Sequence, residues 1–358
     1  MEQVKQAVNT VVAAVQPSHQ QTVLITGASG FLAAHVLTAF LEAGYKVRGT
    51  VRSESTAEKV RKSHAKYVDN LSFAIVRDIT ASGAFDEAVD GVDGVIHTAS
   101  PFVVQVQDNE KELLDPAIKG TVGILTSIQK KNPDVKRVVI TSSFAAVINM
   151  DKGMWPEHTY TEADWNPTTY EEAKTGNGAT AYCASKTLAE RAAFDYVKEN
   201  HPNFTVTSLC PPFVYGPNEH TVTDVTHLNT SSADIWRLMN GTEKEVPDTS
   251  FWAFADARDV AQAHLKAYET PAAAGQRYLI TSGNYSYQQV CDIIRAEVPE
   301  ARERTPEGEP GKPLPPVYRV SHEKAERELG MTFRSLRETI TDTARSLLEL
   351  EKEAGHAH

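Results

Sequence analysis

The sequence predicts an α/β fold, a doubly wound and mainly parallel sheet with a smaller lobe after it. Two observations carry this reading. From Thr22 onward, short apolar runs alternate with segments of helical period, as stacked βαβ units do. The first apolar run, Thr22–Thr26, passes straight into a glycine turn, Gly27–Gly30, and then into the helical run Phe31–Ala43, closed by Gly44.

The further strands follow in order. Lys46–Val51 reads as the second, Ser72–Val76 as the third and Gly94–Thr98 as the fourth. Arg137–Ser142 and Thr205–Leu209 give the fifth and sixth, each after a helical segment. Right-handed crossovers then cover both faces of the sheet, and ligands bind outside the carboxyl ends of its strands. After Gly216 the regularity weakens. Asn218–Ser232 reads as a loop and Pro299–Pro316 as a long connection, while Tyr287–Glu297 and Ser335–Glu351 read as helices. The expected division is a helical extension over 1–20, a nucleotide-binding domain over 21–217, and a mainly substrate-binding lobe over 218–358 that returns in part to the sheet.

Composition narrows the function. The 358 residues are 41% hydrophobic and 23% charged, an ordinary globular balance. A formal net charge of −11 argues against a nucleic-acid partner. The three cysteines, Cys183, Cys210 and Cys291, lack zinc or disulfide spacing. No metal is expected, and a reducing, cytoplasmic location is. No apolar run is long enough to span a membrane. Near the N-terminus, Val4, Val8, Val11, Val12 and Val15 recur at helical spacing, but the run Val11–Val15 is too short for the core of a signal peptide.

Thr26-Gly27-Ala28-Ser29-Gly30-Phe31-Leu32-Ala33 joins the first strand to the first helix. Gly27 permits the tight turn, and Gly30 lets backbone approach a pyrophosphate. Ser29, Phe31 and Leu32 present the N–H groups of the helix start. Ala33 stands where the dinucleotide fingerprint often has glycine for helix packing. An NAD site usually ends the second strand with an acid for the ribose 2′-hydroxyl. Here Arg52 follows Val51, with Lys59 seven residues on. A guanidinium pairs a 2′-phosphate, so the expected cofactor is NADPH. Asp78 and Ile79, after the third strand, are placed at the adenine. Thr98, Ala99 and Ser100, after the fourth, line the middle of the cofactor, and Thr141 stands at the end of the fifth.

Tyr182-Cys183-Ala184-Ser185-Lys186 puts a tyrosine and a lysine four residues apart, on one helix face. A free phenol has a pKa near 10 and is a poor acid–base group at neutral pH. An ammonium beside it, with an oxidised nicotinamide, favours the phenolate and brings the pKa towards the working range. Ser143, at the end of the fifth strand, would donate a hydrogen bond to a carbonyl oxygen as charge develops there. Its neighbour Ser142 is the alternative.

These segments together resemble the extended short-chain dehydrogenases/reductases. Within them the chain is similar to the dihydroflavonol-reductase-like branch, which includes fungal NADPH-dependent aldehyde and ketone reductases and methylglyoxal reductases. The resemblance rests also on His97-Thr98-Ala99-Ser100-Pro101, Pro116–Thr121, Pro211–Pro217 and Asp256–Ala261. It implies a Rossmann fold and reduction of a small-molecule carbonyl with Ser143, Tyr182 and Lys186 as catalytic residues, in a monomer or homodimer. It further implies that Pro211 and Val214 hold the nicotinamide face, and that Phe102, Phe144 and Tyr215 shape the substrate pocket, to which Trp252 is added as an aromatic. The chain departs from the pattern at Ala117, where many relatives place an asparagine for a water relay.

Two competing readings share the fold. Sugar-nucleotide dehydratases carry an Asp-Glu pair after the strand-five Ser/Thr, where this chain has Phe144-Ala145-Ala146, and epimerases keep NAD, which Arg52 disfavours. A non-catalytic NADPH sensor has no need of the Ser, Tyr and Lys set.

Overall fold

The computed structural model describes residues 18–100, 106–220, 222 and 225–356. Seven parallel strands form the main sheet: β1 (Thr22–Thr26), β2 (Lys46–Val51), β3 (Leu71–Ile75), β4 (Gly94–His97), β5 (Arg137–Thr141), β7 (Thr205–Cys210) and β10 (Arg277–Leu279). Their order is β10-β7-β5-β4-β1-β2-β3, so the strand order reverses between β1 and β4. There the carboxyl ends lie side by side, with Thr26 in register with His97.

The apolar runs are continuous because both faces of each strand are covered. Val23 and Ile25 of β1 face α1 (Phe31–Glu42) and α7 (Ala257–Glu269), burying Val36, Leu37, Phe40, Val260 and Ala263 in one core. Leu24, between them, belongs to the opposite core with Ile124, Leu125 and Ile128 of α3 (Asp115–Lys131) and Ala193 of α5 (Gly178–Asn200). The helix α2 (Glu54–Ser63) follows β2, capped by Ser53, whose hydroxyl accepts from Thr56 N.

The later chain builds a separate core from α6 (Thr230–Met239), α8 (Tyr287–Glu297) and α10 (Leu336–His356), through Ile235, Leu238, Ile294, Ile340 and Leu347. The three-stranded sheet of β8 (Phe213–Tyr215), β9 (Ala253–Asp256) and β11 (Gly283–Asn284) lies against it. Two short strands, β6 (Thr159–Tyr160) and β12 (Arg319–Val320), pair in parallel, and short helices α4 (Tyr170–Thr175) and α9 (Glu323–Leu329) complete the set.

Several expectations need correction. The strand predicted at Ser72–Val76 shifts by one residue at both ends, and those predicted at Gly94–Thr98, Arg137–Ser142 and Thr205–Leu209 each differ by one residue at the carboxyl end. The stretch Asn218–Ser232 is not all loop, because α6 begins at Thr230. The connection Pro299–Pro316 opens with a 3-10 turn over Pro299–Arg304. The main sheet has a seventh strand, β10, which the sequence did not reveal. The predicted N-terminal helix and Phe102 lie outside the described residues.

Candidate active site

The carboxyl end of β1 turns at Gly27, whose φ of +68° is left-handed. An added Cβ would also lie 3.1 Å from Ala99 Cα and 3.2 Å from its Cβ. Only glycine lets the β1 turn and the β4 end approach this closely. Gly27 N donates to Thr50 Oγ1 (3.0 Å) and Ala28 N to Thr50 O (2.9 Å), which ties the turn to β2. Gly30 is the N-cap of α1 and makes no side-chain cap, and the first turn holds no acid. The helix start is therefore left with backbone donors and a positive dipole end, with Ser29 exposed before it and Leu32 partly exposed after it. Phe31 and Ala33 are buried, so the methyl of Ala33 fits the helix-to-sheet contact.

Arg52 stands exposed at the end of β2, and Lys59 is exposed along α2. A small cavity of about 40 Å³ lies between the two helices, lined by Ala28, Ser29, Thr56, Lys59, His64 and His220 among others. Asp78 folds into a turn, its Oδ1 accepting from Thr80 N (2.8 Å) and Thr80 Oγ1 (2.7 Å), and these bonds hold its pKa below the ordinary value. Ile79 packs beside Gly120 of α3.

At the switch point a chain of bonds fixes the β4 end. Ala99 N donates to Thr26 Oγ1 (3.0 Å), which in turn bonds His97 Nδ1 (2.9 Å). Thr98 Oγ1 donates to Thr26 O. Burial, and then the charge of Lys186, push the His97 pKa down to about 4, so the ring is neutral at physiological pH. The sequence showed His97 only as part of a motif; its bond to Thr26 had no local signal.

Tyr182 and Lys186 sit in the first turns of α5, which opens on an Asn177 cap accepting from Thr180 N (2.9 Å). Lys186 Nζ donates to Ser100 Oγ (2.8 Å) and lies 5.7 Å from the centre of the Tyr182 ring. Burial lowers the lysine pKa to about 8. Burial raises the phenol to about 12, against a hydrogen bond with Ser143 that lowers it, although part of Tyr182 reaches the surface. Ser143 Oγ also accepts from Ala145 N (3.1 Å), capping the turn Phe144–Ala146. Ser142 points elsewhere: its hydroxyl donates to Glu190 Oε2 (2.8 Å) in the interior. The structure thus brings Ser143, not Ser142, to the tyrosine.

Thr141 has its hydroxyl on His264 Nε2 (2.7 Å). Because His264 Nδ1 bonds the Val260 carbonyl (2.7 Å), that nitrogen carries the proton and Thr141 is the donor. Pro211 is buried, its carbonyl accepting from Phe144 N (2.8 Å), and Val214 is partly exposed on β8. Phe144 is fully buried, edge-on to Tyr160 and Phe251 (both 5.4 Å). Tyr215 is fully buried as well, its hydroxyl bonded to Asp234 Oδ2 (2.7 Å) and Tyr285 Oη (2.8 Å). Trp252 is partly exposed, as is Phe213, an aromatic of the same Pro211–Pro217 segment. Among the described residues no cluster of side chains could hold a metal ion.

The residues fit a bound dinucleotide. A glycine cradle that a Cβ would fill, an uncapped helix start and a cation after β2 meet at one edge of the sheet, beside the Ser143–Tyr182–Lys186 group. A sequence model of the NAD dependent epimerase/dehydratase family matches residues 23–281. The chain belongs to this family, that of the extended short-chain dehydrogenases/reductases. Among its relatives is the ketoreductase azaE of Aspergillus niger, 40% identical over 91% of this chain and 97% of that one. The NADPH-dependent methylglyoxal reductase GRE2 of Saccharomyces cerevisiae is 37% identical, over 92% of this chain and 99% of that one. The crystal structure of yeast methylglyoxal/isovaleraldehyde reductase Gre2 complexed with NADPH superposes with a TM-score of 0.87, at 36% identity, over 92% of this chain and 99% of that one. The family's fold, a Rossmann sheet with a second lobe, is the one described above.

Proposed function

We propose that this extended short-chain dehydrogenase/reductase is an NADPH-dependent carbonyl reductase, converting aldehydes or ketones to alcohols. The observation that carries the reading is the Ser143–Tyr182 hydrogen bond with Lys186 against the same ring, set beside the glycine turn. The relatives that share nearly the whole chain include reductases named for NADPH.

Gly27, Ser29, Gly30, Phe31 and Leu32 would hold the pyrophosphate of NADPH, Arg52 and Lys59 its 2′-phosphate, and Asp78 and Ile79 its adenine. Thr98, Ala99, Ser100 and Thr141 would line its middle, and Pro211 and Val214 the nicotinamide side. When bound, NADPH supplies the hydride that the carbonyl carbon accepts.

The residues of the chain do the rest. Ser143 Oγ donates to the carbonyl oxygen and holds it against Tyr182. Tyr182 Oη gives its proton to that oxygen as negative charge develops, so C=O becomes CH–OH. Burial pushes the Tyr182 phenol up to about 12, so without cofactor it holds its proton through the neutral range, which suits a donor. Lys186, bonded to Ser100 where the ribose would lie, makes the resulting phenolate less costly. Rate comes chiefly from positioning and from these preorganised dipoles.

The substrate is read as a small carbonyl compound with an apolar or aromatic arm. Phe144 and Tyr215, both fully buried, would back the pocket, and Phe102 and Trp252 are read as parts of its wall. The nucleotide-binding part is read as 21–217 and the substrate lobe as mainly 218–358. The three cysteines are free, in keeping with a cytoplasmic location. No helix among the described residues is long and apolar enough to cross a membrane.

The test is NADPH consumption with a panel of aldehydes and ketones that includes methylglyoxal and aryl ketones. Turnover of at least one class with NADPH supports the reading. No turnover of any, with sugar nucleotides converted instead, refutes it.

A further inference from the structure

Glu190 lies on the helix that carries Tyr182 and Lys186, and no step above uses it. The spacing of four residues from Tyr182 to Lys186, and four more to Glu190, places all three on one face of α5. Its carboxylate is fully buried. It accepts from Ser142 Oγ (2.8 Å), Arg277 Nε (2.7 Å), Arg277 Nη2 (3.2 Å) and the thiol of Cys210 (3.5 Å). These donors come from three places: the end of β5, the first residue of β10 and the end of β7. Arg277 is held in turn by the carbonyls of Glu162 (2.6 Å) and Asp164 (2.9 Å), with its guanidinium 3.5 Å from the Trp165 ring centre.

A buried ion pair is poor evidence for stability, because apolar residues of similar volume often do as well. Its distinctive property is direction. Each of these bonds fixes a distance and an angle between α5 and a strand end, which packed methyl groups do not. Burial lowers the pKa of Lys186, and no hydrogen bond or ion pair joins the lysine to Glu190. What remains is geometry: Ser142, bonded to Glu190, is the chain neighbour of Ser143, bonded to Tyr182.

We propose that Glu190 is a positioning residue, whose carboxylate pins the Tyr182–Lys186 helix to the β5 end through Ser142 and to β10 through Arg277, and so sets the Ser143–Tyr182 geometry. The proposal rests on the reading of Ser143 and Tyr182 as the reacting pair. Glu190 touches neither substrate nor cofactor and acts through the two residues that do.

The experiment separates position from stability. Glu190→Met with Arg277→Met replaces the pair by apolar side chains of similar length. The double variant is expected to fold and to bind NADPH, by fluorescence titration, with native stoichiometry and a Kd within about threefold, since the phosphate loop is elsewhere. Its kcat should fall about 10-fold to 100-fold, the scale of a misplacement of about 1 Å. Glu190→Gln keeps an acceptor for Ser142 and should recover at least half of that loss on a logarithmic scale. A folded double variant with native kcat overturns the proposal, as does a loss of NADPH binding equal to the loss of kcat. Should the double variant not fold, Ser142→Ala decides. It cuts only the link to β5, and a kcat three to ten times lower with native NADPH affinity is expected, whereas a native kcat overturns the proposal. Tyr182→Phe is assayed beside them: if it is fully active, the reading of the site fails, and if it is inactive while the Glu190 variants are native, only this inference does.

Discussion

Replacing Ser143 by alanine removes one hydroxyl with two bonds, one to the Tyr182 phenol and one from Ala145 N. The first bond matters to the rate. A preorganised donor aimed at a developing oxyanion is worth about 2.7–4 kcal/mol, or 10²–10³ in kcat. Its loss also lets the pKa of the phenol rise further, which makes the phenolate that forms on proton donation costlier still. The second bond matters to stability, as the cap of a single 3-10 turn, at about 0.5–2 kcal/mol. The control is Ser142→Ala, one residue away, whose hydroxyl serves the buried Glu190 instead. A hydrogen bond to a charged group is worth about 1.5–3 kcal/mol, so that variant should unfold earlier. Its kcat should drop no more than about tenfold. The assay is steady-state kcat at saturating NADPH for both variants, beside their thermal midpoints and NADPH titrations. Near-native turnover in Ser143→Ala with activity abolished in Ser142→Ala would refute the reasoning.

The remaining predictions concern the cofactor edge. Arg52→Asp should erase or invert a preference for NADPH over NADH of about tenfold to a hundredfold in kcat/KM, since a charge-assisted pair with the 2′-phosphate is worth about 1.5–3 kcal/mol; equal kinetics with both cofactors in the native enzyme would sink the assignment. Lys186, pushed down to about 8, carries its proton below that pH and loses it above. NADPH affinity should therefore weaken as pH rises from about 8 to 10, by up to about tenfold per unit, and Lys186→Met should abolish that slope. A slope unchanged in the variant would place the titrating group elsewhere. Gly27→Ala adds a Cβ at a left-handed φ and against Ala99, at a cost of about 1–2 kcal/mol for the conformation alone. NADPH Kd should rise at least about tenfold, and a native Kd would mean that the turn does not cradle the cofactor.

Much of the fold was legible because burial on both faces leaves uninterrupted apolar runs such as Val23–Ile25 and Val138–Ile140. The strand β10 escaped because it is only Arg277–Leu279, and it opens on an arginine. That arginine is buried by a partner 87 positions away, Glu190, which no local pattern reveals. The start of α6 was hidden by Thr230, Ser231 and Ser232, residues that read as loop until Ile235, Leu238 and Met239 are seen to pack in one core. In the candidate site, the Gly27 turn and the Tyr182–Lys186 pair are local patterns that the sequence displays, whereas the choice of Ser143 over Ser142 rested on the resemblance; the structure sets Ser143 against Tyr182. Side-chain direction was not legible. Phe144 and Tyr215 read as pocket aromatics, yet both are fully buried and Tyr215 has its hydroxyl tied to Asp234 and Tyr285.

The central claim is that Tyr182 delivers the proton in a carbonyl reduction, and Tyr182→Phe tests it most directly. The substitution removes one hydroxyl and leaves the ring, so NADPH should bind with near-native affinity in a fluorescence titration. Turnover of the best carbonyl substrate should fall by about 10²–10⁴, the usual share of general acid catalysis. A variant that bound NADPH normally and kept more than about a tenth of the native rate would contradict the account, because the proton would then come from another group.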